Sequence, residues 1–238
     1  MKKILVLGLG KFGNRVCKAL AGRRSVRVYA FDVEERTVER LAPTVHTAGA
    51  GDLDDPEALK AFLAQVGDID SAVISLGDNV NTSILAALQL REAGVANIVI
   101  KAVDPNHRRV LEAIDAGFPG DRHFQVLLPE LDAADRLART VASDFVTGEL
   151  PLGSGLAIME VTCPKELAGV PLKELDLRSR FHLTVIGYRA RGESSESSDD
   201  RGDLKFASPD TALPEGGSIM IVGKQEDLEA LERKFGKN

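Results

Sequence analysis

The chain has 238 residues, 44% of them hydrophobic and 28% charged, enough for one large folded unit or a large and a small one with an ordinary soluble core. Its formal net charge of −6 excludes a general nucleic-acid or anionic-membrane binder, which needs a basic face, while leaving room for a local positive pocket. Cys17 and Cys163 are far apart behind no signal-peptide pattern, so they read as reduced apolar residues of a cytoplasmic protein. No Cys/His cluster points to zinc.

From the N terminus, "KKILVLG" predicts a buried strand and "KFGNRVCKALAG" a helix closed by Gly22. The unit repeats as "VRVYAFD" with "VEERTVERLA", "TVHTAG" with "PEALKAFLAQVG", "IDSAVISLG" with "NVNTSILAALQLREAG", and "ANIVIKAV" with "PNHRRVLEAIDAG". Val- and Ile-rich strands alternating with amphipathic helices imply parallel pairing with helices on both faces. Right-handed crossovers then give an α/β fold with a doubly wound, Rossmann-type sheet. A sixth strand, "RHFQVLLP", leads into a helix from Glu130 to about Val146, whose apolar stripe is Leu131, Leu137, Val141 and Phe145. That stripe suits packing within the chain or burial between subunits. "TGELPLGSG" reads as a Gly- and Pro-rich joint. Beyond it, "LAIMEVTCP", a short helix around "PLKELDLRSRF", "LTVIGYRA", "GSIMIVGK" and a last helix "QEDLEALERKF" describe a smaller α+β lobe. The expected domains are therefore 1–146 and 156–238. Within the lobe, the acidic, Ser-rich segment 191–205 is almost free of apolar residues and is expected to be a mobile hairpin tip. No apolar run approaches the roughly 20 residues of a spanning helix, so direct membrane insertion is not expected.

The first strand-to-helix link carries Gly8, Gly10 and Gly13 in a GxGxxG spacing, and Asp32 ends the second strand 19 residues after Gly13. Alone the spacing is weak; between a strand and a helix, with an acid at that distance, it marks a nucleotide site. Gly8 permits the tight turn, Gly10 lets main chain approach phosphate, and Gly13 lets the helix pack on the strand. Phosphates would meet the free N–H groups at the positive end of the helix. Asp32 would accept from both ribose hydroxyls and repel a 2′-phosphate. Lys11, beside those phosphates, is either a solvated first-turn residue or a cation reserved for a further phosphate, which would tell a triphosphate from a diphosphate. Asp52 lies where an adenosine would, or caps a helix; Asp54, before Asp55-Pro56, is the better cap candidate. At the switch point after the fourth strand, Asp78 or Asn79 faces a ligand or caps the next helix.

An oxidoreductase using this fingerprint would need an acid/base residue and a second substrate site. His46, His107, His123 and His182 show no triad or metal spacing, and neither cysteine has an activating base in sequence. The chain is therefore not expected to be an enzyme, with an NAD-dependent oxidoreductase as the rival reading.

Over nearly the whole chain the motifs resemble a known family. "VLGLGKFG", "VISLGDNVNTSILAALQLREAGVANIVIKA", "HRRVLEAIDAG" and "LLPE" resemble the nucleotide-binding half of RCK regulators, the cytoplasmic subunits of Ktr/Trk-type potassium uptake systems. "LAGVPLKELDLRSRFHLTVIGYRA" and "PDTALPEGGSIMIVGKQEDLEAL" resemble its C-terminal half. The resemblance implies a homodimer assembling into an octameric ring beneath an integral-membrane potassium-translocating subunit, on the inner face of the cell membrane. In the Ktr-like branch ATP favours the conducting shape and ADP the inactive one. Trk-like relatives are often duplicated and bind NAD or NADH, and the single copy here favours the Ktr-like reading.

Carried onto matching positions, the resemblance implies a nucleotide site of Gly8, Gly10, Lys11, Phe12, Gly13, Asp32, Asp52, Leu53, Leu76, Gly77 and Lys101. Lys11 stands where the branch commonly has an arginine reaching the terminal phosphate, keeping the charge without the bidentate fork. Glu130 matches a glutamate associated with a cation, Mg2+ or Ca2+, at the subunit interface; it is equally a first-turn acid facing the helix dipole. Arg178 matches an arginine that contacts cyclic di-AMP in some members, and is otherwise a surface ion-pair or cap residue.

Overall fold

A computed structural model of the chain describes residues 1–77, 79–118, 123–190 and 203–235. The chain divides into two compact units, Met1–Asp132 and Ala133–Asn238.

The first unit is built from β1 (Lys2–Leu7), α1 (Lys11–Ala21), β2 (Val26–Asp32), α2 (Glu35–Leu41), β3 (Thr47–Ala50), α3 (Pro56–Val66), β4 (Ser71–Ile74), α4 (Val80–Glu92), β5 (Asn97–Lys101), α5 (Pro105–Asp115) and β6 (Gln125–Leu127). All strand pairs are parallel, in the order β3-β2-β1-β4-β5-β6, so the expected doubly wound sheet is present. Its two faces follow from the period of a strand. Leu5 and Leu7 of β1 join Phe31, Ile74, Ile98, Ile100 and Leu111 in the larger core, while Val6 turns to the other face with Cys17, Val28, Ala30 and Leu41. Both faces being apolar, these strands read as unbroken hydrophobic runs.

In the second unit, β7 (Val146–Gly153), β8 (Leu156–Thr162), β9 (Thr184–Arg189), β10 (Lys205–Phe206) and β11 (Ser218–Lys224) form an antiparallel sheet in the order β10-β9-β11-β8-β7. The helices α7 (Leu172–Leu175), α8 (Leu177–Phe181) and α9 (Gln225–Phe235) complete the α+β lobe. Met159, Val161, Leu183, Ile219, Ile221 and Leu231 are at its centre. The helix α6 (Pro129–Ala142) precedes β7, and the division between the units falls within it.

Two expectations are corrected. The Gly- and Pro-rich stretch 147–155 is not a joint: most of it is β7, paired with β8 from Val146 to Gly153. Proline is tolerated in an edge strand, and among the described residues β7 pairs with β8 alone. The helix expected to reach Val146 ends at Ala142, and Phe145 lies beyond it, buried in the lobe's core. Residues 191–202 of the segment expected to be a mobile tip lie outside the described residues.

Candidate functional site

Between β1 and β4, which pair side by side, the strand order of the parallel sheet reverses, and such a point opens a crevice at the carboxyl ends of the strands. Here the crevice has a volume of about 470 Å3 and is lined by Gly8, Gly10, Asp32, Val33, Asp52, Leu53, Asp54, Ser75, Leu76, Gly77, Asn79 and Thr82.

The glycine turn divides its work between fold and ligand. Gly8 has φ +84°, and a Cβ there would stand 2.2 Å from the Ser75 carbonyl oxygen. At Gly13 a Cβ would stand 1.9 Å from the Gly8 oxygen. Chain packing forbids a side chain at both. Gly10 differs: its φ is −59° and a Cβ would meet nothing within 4 Å. No packing demand explains a glycine there, whereas a ligand approaching the main chain does. Gly10 also supplies no side-chain cap to α1, so the first-turn N–H groups of that helix stay available to an anion. A phosphate-bearing ligand thus fits the cradle.

Asp32 braces the turn. Its Oδ2 accepts the Leu9 N–H at 2.5 Å and its Oδ1 the Glu34 N–H at 2.8 Å. Each oxygen keeps acceptor capacity for a ribose hydroxyl. On the opposite wall, Asp52 accepts the Asp54 N–H at 2.9 Å, and Leu53 is buried beneath. Asp54 is not the helix cap expected of it. Asp55 caps α3 by accepting from the Glu57 N–H at 3.0 Å, and the Asp54 carboxylate instead accepts the hydroxyl of Thr82. The cap rule places Asp directly before a first-position Pro, so the signal for Asp55 was present in "DDP". Thr82 was missed because inside a helical pattern it reads as packing. Asn79 caps α4, accepting the Thr82 N–H at 3.4 Å; Asp78 lies outside the described residues.

The structure brings Gly8, Gly10, Asp32, Asp52, Leu53, Leu76 and Gly77 together in the crevice wall, but not Lys11, Phe12, Gly13 or Lys101. Lys11 lines an adjoining groove of about 870 Å3, with Arg15 and Lys18 of α1 and Arg40 of α2; groove and crevice share Gly10, Asp32 and Val33. Lys101 is largely buried, 5.8 Å from the Phe12 ring centroid and 2.5 Å from the Glu130 carboxylate. That hydrogen bond holds the Glu130 carboxyl below its usual range despite its exposure. A single carboxylate already held by an ammonium does not by itself make a cation site, and no group of three His, Cys, Asp or Glu converges among the described residues. Arg178, on α8, lines a separate pocket of about 370 Å3 with Lys173, Asp176 and Ser208. Burial pushes the Cys17 thiol up to about 12 and the Cys163 thiol to about 11, so both stay protonated.

The fold and crevice define a nucleotide-binding Rossmann unit joined to a small antiparallel lobe. A TrkA-N domain model matches residues 4–118 and a TrkA-C domain model residues 156–236. The chain is 34% identical over 229 residues to the Ktr system potassium uptake protein A of Vibrio alginolyticus, covering 95% of this chain and 94% of that one. It is 29% identical over 235 residues to the Ktr system potassium uptake protein C of Bacillus subtilis (strain 168), covering 98% and 97%. Among solved structures, the GsuK RCK domain superposes with a TM-score of 0.62 at 19% identity, over 99% of this chain and 48% of that chain. The GsuK channel gives 0.64 at 20%, over 99% and 40%. At such identities these two show the fold alone. The chain belongs to the RCK regulatory proteins of Ktr/Trk-type potassium uptake systems.

Proposed function

We propose that this chain is a nucleotide-sensing gating subunit: ATP and ADP, held in the crevice and never transformed, shift the shape of a homo-oligomeric ring attached to an integral-membrane potassium-translocating subunit. The observation that carries the reading is Gly10, whose main chain is open to a ligand although no packing demand requires glycine. The near full-length likeness to Ktr system proteins supports the assignment to potassium uptake, and among the described residues no helix is long and apolar enough to cross a membrane. The protein is accordingly peripheral, on the cytoplasmic face, through its partner.

A ligand biases such a ring only through different affinity for its two shapes; about 1.4 kcal/mol shifts the ratio tenfold. The third phosphate supplies that difference. In a homodimer with facing crevices, Lys11 of one chain answers the terminal phosphate held by the other, which suits a lysine that lines the neighbouring groove. Glu130 takes part in a cation site only if Lys101 releases it and a second chain adds ligands. Arg178 is the residue to test for cyclic di-AMP.

Titration of the purified chain and of Lys11→Ala with ATP, ADP and NADH tests the proposal. ATP binding about tenfold weaker in the variant, with ADP unchanged within about twofold, is the expected result. ATP affinity indifferent to the substitution removes the phosphate sensor. Tight binding of NADH alone favours an NAD(H)-sensing regulator, and sustained NADH turnover an oxidoreductase.

A further inference from the structure

Three aspartates stand among residues 52–55, in the loop after β3, and each makes a different bond. Asp52 accepts from the Asp54 N–H, which fixes the loop locally, and Asp55 caps α3. Asp54, released from capping, reaches Thr82, 28 residues further on, and accepts its hydroxyl proton. Thr82 is buried and held twice, since its N–H is also taken by Asn79. In the sheet, β3 and β4 are separated by β2 and β1, so a bond between the loop after β3 and the first turn after β4 arches over the ends of two strands. Those strand ends carry Asp32 and the glycine turn, and both bonded side chains are in the crevice wall.

We infer that the Asp54–Thr82 pair is a clasp that sets the width of the nucleotide crevice, both residues positioning its rims rather than serving as ligands. The inference rests on the nucleotide reading of the crevice. A hydrogen bond to a carboxylate is stronger than one between neutral groups, and this one is shielded from water on the Thr82 side. Closing the crevice before the ligand arrives removes an ordering cost from binding. The carboxylate also has a reason to be tied: left facing the ligand, it would add negative charge to a site for phosphates. Neither backbone propensity nor capping requires Asp at 54 or Thr at 82.

The experiment is a double-mutant cycle on ATP affinity with Asp54→Ala, Thr82→Val and their combination, with Asp54→Asn as the conservative variant. Each single variant is expected to weaken ATP about tenfold, and the pair no more than either alone within about twofold. Asp54→Asn, whose amide oxygen still accepts the hydroxyl, stays within about threefold of wild type. Independent damage at the two sites would give losses that add, without rescue by Asn. Wild-type affinity in both singles, or losses that add in the pair, overturns the clasp. Amide exchange without nucleotide provides a measurement independent of binding. Thr82→Val should speed exchange at 52–55 and 80–83 and leave β1 unchanged, and equal exchange in wild type and variant overturns the clasp. If wild type binds no nucleotide but the exchange difference is present, the proposed function fails while the clasp stands.

Discussion

Gly10 and Gly13 sit three residues apart in one turn, yet different partners demand them. At Gly13 the demand comes from the chain: a methyl group would overlap the Gly8 carbonyl, an atom of the backbone that cannot swing aside. Gly13→Ala should therefore lower unfolding free energy by about 3 kcal/mol in denaturant titration, or prevent folding. At Gly10 the space is open and φ is ordinary, so Gly10→Ala should leave stability within about 0.5 kcal/mol of wild type. Its nucleotide affinity should fall at least about tenfold, because the methyl group occupies the approach to the main chain. Equal stability losses in the two variants would remove the case that Gly10 is reserved for a ligand. At this scale much of the site was legible, because GxGxxG with a downstream acid states backbone geometry directly. Asp54 and Thr82 were not, because a tie between residues 28 apart leaves no local pattern in one sequence. Lys11 was legible as a cation but not in its direction, since side chains on the first turn of a helix can face either side of a glycine loop.

Three helices of the first unit, α3, α4 and α5, begin with an Asp or Asn cap, and beside one of these caps lies a group that titrates. α5 starts with Asp104, which accepts the His107 N–H at 2.8 Å, while His107 Nδ1 accepts the Val103 N–H at 3.3 Å. His107 is buried, and burial lowers its pKa below the ordinary 6.5, with Asp104 opposing the shift. As pH falls through about 6.5 the unfolded chain takes a proton that the folded chain refuses, so this contribution is complete above 6.5 and lost below it. Unfolding measured between pH 7.5 and 5 should show stability falling toward acid, with a shallower slope in His107→Gln. Identical slopes would mean that this ring does not govern acid sensitivity. The elements themselves were readable, because buried parallel strands are continuous apolar runs and α3, α4 and α5 each open on an Asp or Asn cap. β7 was not: Gly and Pro argue for a loop, and only its place at the sheet edge, a tertiary fact, makes them acceptable in a strand.

At the scale of the molecule, the stripe on α6 separates what one chain can bury from what it leaves for another. Sequence periodicity groups Leu131, Leu137, Val141 and Phe145, but only Phe145 has found a core. Leu137 and Val141, one helical turn apart, are 63% and 77% exposed, Leu131 is 40% exposed, and no residue of α6 is buried. Two large aliphatic side chains side by side in water gain nothing for a lone chain, whereas at roughly 25 cal/mol per Å2 their burial against a second copy contributes to association. They are too few for a whole interface, which needs about 800 Å2 from each partner, so α6 would be its apolar centre and neighbouring surface its rim. The combined variant Leu137→Lys and Val141→Lys should sediment as a monomer where wild type sediments as a dimer or larger assembly. Phe145→Ala should act through the fold instead, with an unfolding cost of about 3 to 5 kcal/mol. A double-lysine variant that keeps the wild-type mass would place the contact between copies elsewhere.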